Sequence, residues 1–280
     1  CYSVDGGTPI YFAGSDSTPR TIVIPAGVGV PRQVDIWPAN STSTGRVGDF
    51  TYLDFGSNNS LTSLDVSGLT ALTYLSCAAN SLTSLDVSGL TALTELSCWD
   101  NNLTSLDVSG LTALDILYCS TNNLTSLDVS GLTALTNLTC SANNLTTLDV
   151  SGLTGLDYLS CTSNNLTSLD VSGLPLLAKL YCGYNNTLTS LDVTGSLTLT
   201  RLDASYSDIL QNVTMSGGSI VAIGYDLYEF VSCGMNAAQL EAMFATLPEI
   251  TSGTMTLDIT GNSGAATADQ SGIPANYSVI

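Results

Sequence analysis

The sequence contains no histidine, and its 280 residues include only five basic ones, Arg20, Arg32, Arg46, Lys179 and Arg201, against 24 acidic ones. Without histidine the chain lacks the usual general base for a serine or cysteine nucleophile and the commonest transition-metal ligand. Most hydrolase designs are thereby excluded. So few cations leave no basic stripe to neutralise phosphates, which makes nucleic acid a poor partner. The formal net charge of -19 also opposes binding to anionic lipid. No apolar run approaches the roughly 18 residues needed to cross a bilayer, so a transmembrane chain is not expected. P-loop, dinucleotide and C-x-x-C patterns are all missing, and no cofactor is expected. A carboxylate pair flanking a cleft could still hydrolyse a glycoside. A regular repeat supplies no obvious cleft, and the chain is read as non-enzymatic.

Hydrophobic residues make up 44% of the chain and charged residues 10%, so solubility rests on Ser, Thr, Asn and Gly together with the acidic excess. The chain begins at Cys1 without a methionine, which fits a processed mature chain or a trimmed one. Few charges, abundant small polar residues and missing nucleotide signatures fit an exposed life outside the cytoplasm.

What organises the chain is a repeat. From Leu61 the string L-T-S-L-D-V-S-G-L-T-A-L recurs at Leu82, Leu103, Leu124, Leu145 (with small changes) and Leu166, a step of 21 residues. A fixed short period of this kind means a solenoid. Cys77, Cys98, Cys119, Cys140, Cys161 and Cys182 keep the same 21-residue step independently. One unit places Leu72, Leu75, Cys77, Leu82, Leu85, Val87 and Leu90 at recurring apolar positions. The L-x-x-L-x-C-x-x-N-x-L stretches, with Asn80, Asn101, Asn122, Asn143, Asn164 and Asn185 at the asparagine position, resemble the leucine-rich-repeat family, with Cys where that family more often has Leu. The nested L-T-S-L-D-V-S half is similar to bacterial and phage leucine-rich repeats of the short 21-residue type.

That likeness implies a mainly β solenoid of stacked 21-residue coils, each giving two short extended segments on opposite sides and stacking as parallel strands about 4.8 Å apart. Three regions are expected. Residues 1–50, with β-like runs at Thr21 to Ile24 and Gln33 to Trp37 broken by Pro25, Pro31 and Pro38, form an N-terminal β-rich cap or attachment module. Residues 51–207 form the solenoid, its register loosening where Leu53, Phe55 and Asn58 precede their counterparts by 22 residues and where Thr187 is inserted. Residues 208–280 form a C-terminal cap with one short helix, capped by Asn236 with Gln239 three residues on and an apolar face of Leu240, Met243, Phe244 and Leu247. The tail from Asn236 to Ile280 resembles the C-terminal ends of leucine-rich-repeat proteins from Bacteroidetes and of bacteriophage tail or virion proteins.

The periodic cysteines occupy inward, leucine-equivalent positions and are expected as buried thiols, because Cβ vectors pointing the same way oppose a disulfide. Cys1 and Cys233 fall outside the register. Cys1 could be lipid-modified, pair with Cys233, or simply be where the chain starts. The asparagines are expected to form a ladder satisfying turn amides. Asp86, Asp107, Asp128 and Asp149 belong to an acidic column whose mutual repulsion must be offset, either by nearby Ser, Thr and backbone donors or by a hard cation such as Ca²⁺.

Comparing units separates two flanks. Outward residues on the D-V-S side barely change, whereas on the L-x-x-L-x-C side they vary: Tyr74, Glu95, Ile116, Asn137, Tyr158 and Lys179 share one column, Ser76, Ser97, Tyr118, Thr139, Ser160 and Tyr181 a second, and Trp99 belongs to a third. The resemblance implies binding on the exposed strand face, and the aromatics supply contact area suited to protein or glycan. The candidate binding residues are Tyr74, Glu95, Trp99, Tyr118, Tyr158, Lys179 and Tyr181, for a partner on a cell surface, with surface drift between duplicated units as the alternative. Two other readings stay open: a structural bacteriophage component, as tail fibre or capsid decoration packed against neighbouring virion subunits, and ice binding on the column Thr62, Thr83, Thr104, Thr125, Thr146 and Thr167. The adjacent Asp column spoils the uncharged face that ice binding needs.

Overall fold

The computed structural model describes residues 10–12, 20–22, 35–38, 50–56, 61–215, 219–221, 227–247, 249–252, 255–274 and 277–280. Cys1, Asn58 and most of the expected N-terminal module lie outside them. The chain is mainly β, about nine stacked coils with one short helix. It divides into two compact units, residues 1–135 and 136–280.

In the first unit β1 (Ile10–Phe12) and β2 (Arg20–Ile22) pair antiparallel. The next strand, β3 (Asp35–Pro38), lies antiparallel to β4 (Phe50–Asp54). From β4 onward the pairing is parallel, through β5 (Tyr74–Ser76), β6 (Glu95–Ser97) and β7 (Ile116–Tyr118). Each three-residue strand sends its central leucine inward, and Leu53 of β4 does the same, so Leu53, Leu75, Leu96 and Leu117 stack with no exposed surface. The strand ladder continues one residue further through bonds such as Cys77 N to Ser97 O, 2.8 Å.

After the cysteine the backbone enters the left-handed region once per coil, at Ala79 (φ 54°), Asp100 (φ 56°) and Thr121 (φ 54°) in this unit. This kink swings the following asparagine into the core. The opposite side of each coil is built from turns. Leu90 N donates to Val87 O at 3.2 Å with Gly89 at φ 79°, a type II turn with glycine where φ must be positive. Leu93 N then donates to Leu90 O at 2.9 Å and returns the chain to the next strand.

Over residues 61–135 the D-V-S segments bury their leucine and valine but are not paired as strands, which differs from the expected two strands per coil. The second unit shows when such pairing occurs. There β10 (Ser168–Asp170), β12 (Ser190–Asp192) and β14 (Asn212–Thr214) form a second parallel sheet, and their partners are 22 residues apart. The extra residue, Thr187 in the first of these coils, lengthens the path around the coil. Val171 N then reaches Asp192 O at 2.9 Å and Val193 N reaches Thr214 O at 2.9 Å.

The main sheet of the second unit runs through β8 (Asn137–Thr139), β9 (Tyr158–Ser160), β11 (Lys179–Tyr181), β13 (Arg201–Asp203), β16 (Leu227–Glu229), β18 (Met255–Asp258) and β19 (Tyr277–Val279), all parallel. It therefore continues well past residue 207. Tyr228 and Phe230 occupy the inward Leu and Cys positions of one further coil, and Leu257, Ile259 and Asn262 occupy the Leu, Cys and Asn positions of another. A short parallel pair, β15 (Ser219–Val221) with β17 (Glu249–Ser252), lies outside that sheet. The helix α1 (Ala237–Phe244) has the expected capping box between Asn236 and Gln239, and it buries Leu240, Met243 and Phe244.

Candidate binding surface

The side chains that face outward are held by two inner ladders. Asn80, Asn101, Asn122, Asn164 and Asn185 each accept a bond from the leucine amide 19 residues earlier, as in Leu82 N to Asn101 Oδ1 at 2.9 Å and Leu103 N to Asn122 Oδ1 at 3.0 Å. The amide nitrogens of Asn101, Asn122, Asn164 and Asn185 donate to the cysteine carbonyl of their own coil and to that of the coil before. Thus Cys98 O receives Asn101 at 3.1 Å and Asn122 at 3.0 Å, and in the second unit Cys161 O receives Asn164 at 3.0 Å and Asn185 at 3.2 Å. Within each unit, coils are thereby tied to their neighbours through groups with almost no access to water.

The six ladder cysteines have no exposed surface, and none is in a disulfide. Burial raises the thiol pKa, to about 12 for Cys98 and for Cys140. Cys233, expected outside the register, sits at the asparagine position of its coil. Its Sγ donates to Ala204 O at 3.2 Å, the contact that an asparagine amide makes elsewhere.

On the strand face of the first unit, Tyr74, Glu95 and Ile116 stand side by side in register, and the rings of Tyr52 and Tyr74 stack at 4.2 Å. Burial raises the Tyr74 hydroxyl to about 12, helped by Tyr52 and Asp54. It also raises the Glu95 carboxyl, with Asp115 as the second cause. Tyr118 is half-buried in the next column. The two serines beside it in register, Ser76 and Ser97, are only 6% exposed because taller neighbours flank them. Trp99 stands out at 43% exposure.

In the second unit Tyr158 and Lys179 are register partners, and the rings of Tyr158 and Tyr181 lie 5.5 Å apart. Arg201, on the next strand, stands 5.6 Å from the Tyr181 ring centroid and pairs with Glu229 at 3.1 Å. Burial and then Asp203 raise the Glu229 carboxyl, while Arg201 opposes them. Lys179, Tyr158 and Tyr181 are thus brought together. The sequence reading missed Arg201 and Glu229, although Arg201 follows Lys179 at the coil period. It also missed Tyr184 and Tyr206, exposed and stacked at 4.7 Å, whose backbones hold the left-handed kink at φ 56° and 58°.

The opposite flank carries the acidic column. Asp86, Asp107, Asp128 and Asp149 are exposed, and each Oδ1 accepts from the serine amide two residues on, at 2.8 to 2.9 Å. The serine side-chain and backbone bonds lower the carboxyl pKa of Asp86, Asp107 and Asp149, and repulsion from Asp86 is the smallest cause acting on Asp107. Among the described residues no group of three or more His, Cys, Asp or Glu is arranged to hold a metal. The candidate threonine column is fully outward beside these carboxylates. In the second unit an open groove of about 340 Å³ separates two D-V-S segments, between Asp149 and Asp170.

No protein-family model and no curated protein matches the chain. Among solved structures it is similar to the functional domain of InlJ from Listeria monocytogenes, which includes a cysteine ladder, with 28% identity, 75% of this chain and 65% of that one covered, and a TM-score of 0.40. It is also similar to the internalin InlF from Listeria monocytogenes, at 18% identity, coverage of 85% and 90% and a TM-score of 0.45. For YopM, a leucine-rich effector protein from Yersinia pestis, the identity is 20%, the coverage 76% and 61% and the TM-score 0.50. The chain thus spans less than two thirds of the InlJ domain and of YopM. The fold is that of the leucine-rich-repeat solenoids. Among the described residues no helix is long and apolar enough to cross a membrane.

Proposed function

We propose that this chain is a non-enzymatic binding module, working outside the cytoplasm at a cell or virion surface, that captures a protein or glycan on its strand face. The observation that carries this reading is the contrast between flanks. The turn side repeats the same D-V-S-G residues coil after coil, whereas the strand face sets different aromatic and charged groups in register: Tyr74 beside Glu95 in one unit, and Tyr158, Lys179 and Tyr181 in the other. Large rings on a rigid sheet lose little side-chain entropy on contact, which is what an interaction surface needs. Two sets of variants test it on a panel of displayed surface proteins and glycans. Trp99→Ala, Tyr118→Ala and Tyr158→Ala together should abolish capture while the circular dichroism spectrum is kept, and Thr83→Ala with Thr104→Ala on the other flank should leave it intact. Equal capture by both sets would retire the reading.

A structural role within a particle is the second reading, favoured by Leu176 and Leu197. These leucines are 54% and 48% exposed at the turn between flanks of adjacent coils, as subunit packing would require. Electron microscopy that places the solenoid at fixed lattice positions supports it, and a monodisperse free monomer with intact strand-face capture argues against it.

A further inference from the structure

Charge is spread unevenly over the strand face of the second unit. Beyond Arg46 the sequence has two basic residues, Lys179 and Arg201, in a chain of formal net charge -19. They are register partners on β11 and β13. Arg201 is already committed: it pairs with Glu229 at 3.1 Å and stands 5.6 Å from the Tyr181 ring centroid. Lys179 is exposed and, among the described residues, is in no ion pair. Toward β13 the row that begins at Tyr181 turns acidic, with Asp203, Glu229 and Asp258 in register. Toward β9 the outward strand residues carry no charge: Tyr158 and Ser160, then Asn137 and Thr139 on β8. Asp157 precedes β9 and is exposed at its margin, without an ion pair to Lys179.

Two further features lie on the uncharged side. The rings of Tyr158 and Tyr181 lie 5.5 Å apart at an angle of 39°, so two half-buried rings make an angled platform next to the lysine. Asn137, in register with Tyr158, has its Oδ1 buried with no hydrogen-bond partner, so turning that amide toward a ligand hydroxyl sacrifices no bond at Oδ1. From Lys179 through Tyr158 to Asn137 the row spans two strand spacings, about 10 Å.

This row selects a ligand with a single negative charge at one end. The unpaired ammonium offsets one carboxylate, whereas a polyanion is repelled by Asp203, Glu229 and the acidic excess of the whole chain. The remainder of the ligand must be neutral, with an apolar face for the rings and hydroxyls for the amide. Resting on the strand-face reading above, we infer that this row binds a glycan ending in an acidic sugar. The carboxylate of that sugar bonds the Lys179 ammonium, its ring packs on Tyr158 and Tyr181, and the neutral sugar behind it reaches Asn137. An acidic peptide would use the lysine and leave the rings and the amide unmatched.

The probes are sialyllactose and a disaccharide ending in glucuronic acid, titrated into the full chain by NMR. Lactose is the neutral counterpart, and acetylated, amidated glutamate supplies a peptide carboxylate. Saturation is expected at about millimolar acidic sugar, the range of a shallow site with one ion pair. Lys179→Gln and Tyr158→Ala should each weaken binding about tenfold, while Lys179→Arg and Tyr158→Phe, which keep the charge and the ring, should stay within about threefold. Asp107→Asn, which shifts the net charge by the same amount on the opposite flank, should change the affinity by less than about twofold. If Asp107→Asn strengthens binding as much as Lys179→Gln weakens it, the effect is net charge and the inference fails. It fails equally if lactose or the glutamate derivative binds as tightly as the acidic sugars, or if neither acidic sugar saturates the native chain. Capture of another partner that is lost with the strand-face variants would, in any of these cases, leave the broader reading standing.

Discussion

Replacing Asn122 by alanine tests the inner ladder at its most connected point. Its Nδ2 donates to Cys98 O at 3.0 Å, Cys119 O at 3.2 Å and Ser120 O at 3.2 Å, and its Oδ1 accepts from Leu103 N at 3.0 Å. Cys98 O keeps Asn101 as a partner in the variant, but the Leu103 amide has no other acceptor and is fully buried. An orphaned buried amide costs roughly 1–3 kcal/mol, and weakening three carbonyls adds about 0.5 kcal/mol each, so the loss should be about 2.5–4.5 kcal/mol. That is a large share of a normal folding free energy of about 5–15 kcal/mol. Asn122→Asp keeps the acceptor but turns an oxygen toward three carbonyls, and it should be no better than alanine. Asn122→Cys should lose less, because Cys233 already donates from this position in its own coil. The control is Asn123→Ala, an exposed neighbour expected to stay within about 0.5 kcal/mol. Urea unfolding followed by circular dichroism measures all four, and an Asn122→Ala midpoint equal to that of Asn123→Ala refutes the ladder as a source of stability.

The type II turns give a paired test. Gly110 has φ 80° with open space around its Cβ position, so Gly110→Ala should cost about 1–2 kcal/mol from backbone strain alone, whereas Gly173 lies outside the left-handed region and Gly173→Ala should be neutral or gain up to about 1 kcal/mol in thermal unfolding. The ladder thiols, raised to about 12 at Cys98 and Cys140, should resist iodoacetamide at pH 8 in the native state and react once urea unfolds the chain; rapid native labelling by mass spectrometry at Cys98 or Cys140 would contradict their burial. Acid should act in opposite directions on the two flanks. The lowered Asp86, Asp107 and Asp149 carboxyls stabilise the fold above their unfolded pKa, and that contribution is lost as pH falls through their folded values; the raised Glu95 carboxyl destabilises the ionised fold, so Glu95→Gln should raise the melting temperature at pH 7 with an advantage that vanishes as pH falls through the Glu95 pKa.

The fold was legible because two residue types kept one period. Leucine and cysteine at fixed places leave a stack as the only way to bury both, and the asparagines mark the turn in every coil. What the sequence hid lay where the period broke. L-D-I-T-G-N at 257–262 repeats the Leu, apolar and Asn spacing of L-S-C-A-A-N, yet it stands 55 residues beyond the previous inward Leu202, and the insertion containing α1 masks it. Tyr228 and Phe230 were hidden for a different reason: they are larger than the Leu and Cys they replace, and Tyr228 is admitted only because its hydroxyl finds Leu199 O at 2.9 Å.

The surface was half legible, and the physics of the missing half is the same at each position. A column read from one strand predicts which residues point outward, so Tyr74, Glu95, Tyr158 and Lys179 fall where the period puts them. It does not predict height, and height decides access. Ser76 and Ser97 share their column with Tyr118, but a hydroxymethyl between rings is covered while the ring is not. Nor does a column predict what happens at the kink, where a residue must take positive φ whatever its side chain. The chain places Ala, Asp, Thr and Ser there in most coils, yet tyrosine at 184 and 206. Bulky residues in that backbone region cost about 1–2 kcal/mol each, and two in succession are retained with their rings stacked and exposed. Tyr184→Gly should therefore stabilise the fold while removing one ring from the edge of the strand face. If it instead lowers the melting temperature, the ring stack outweighs the backbone strain, and those tyrosines belong to the architecture rather than to the surface that meets a partner.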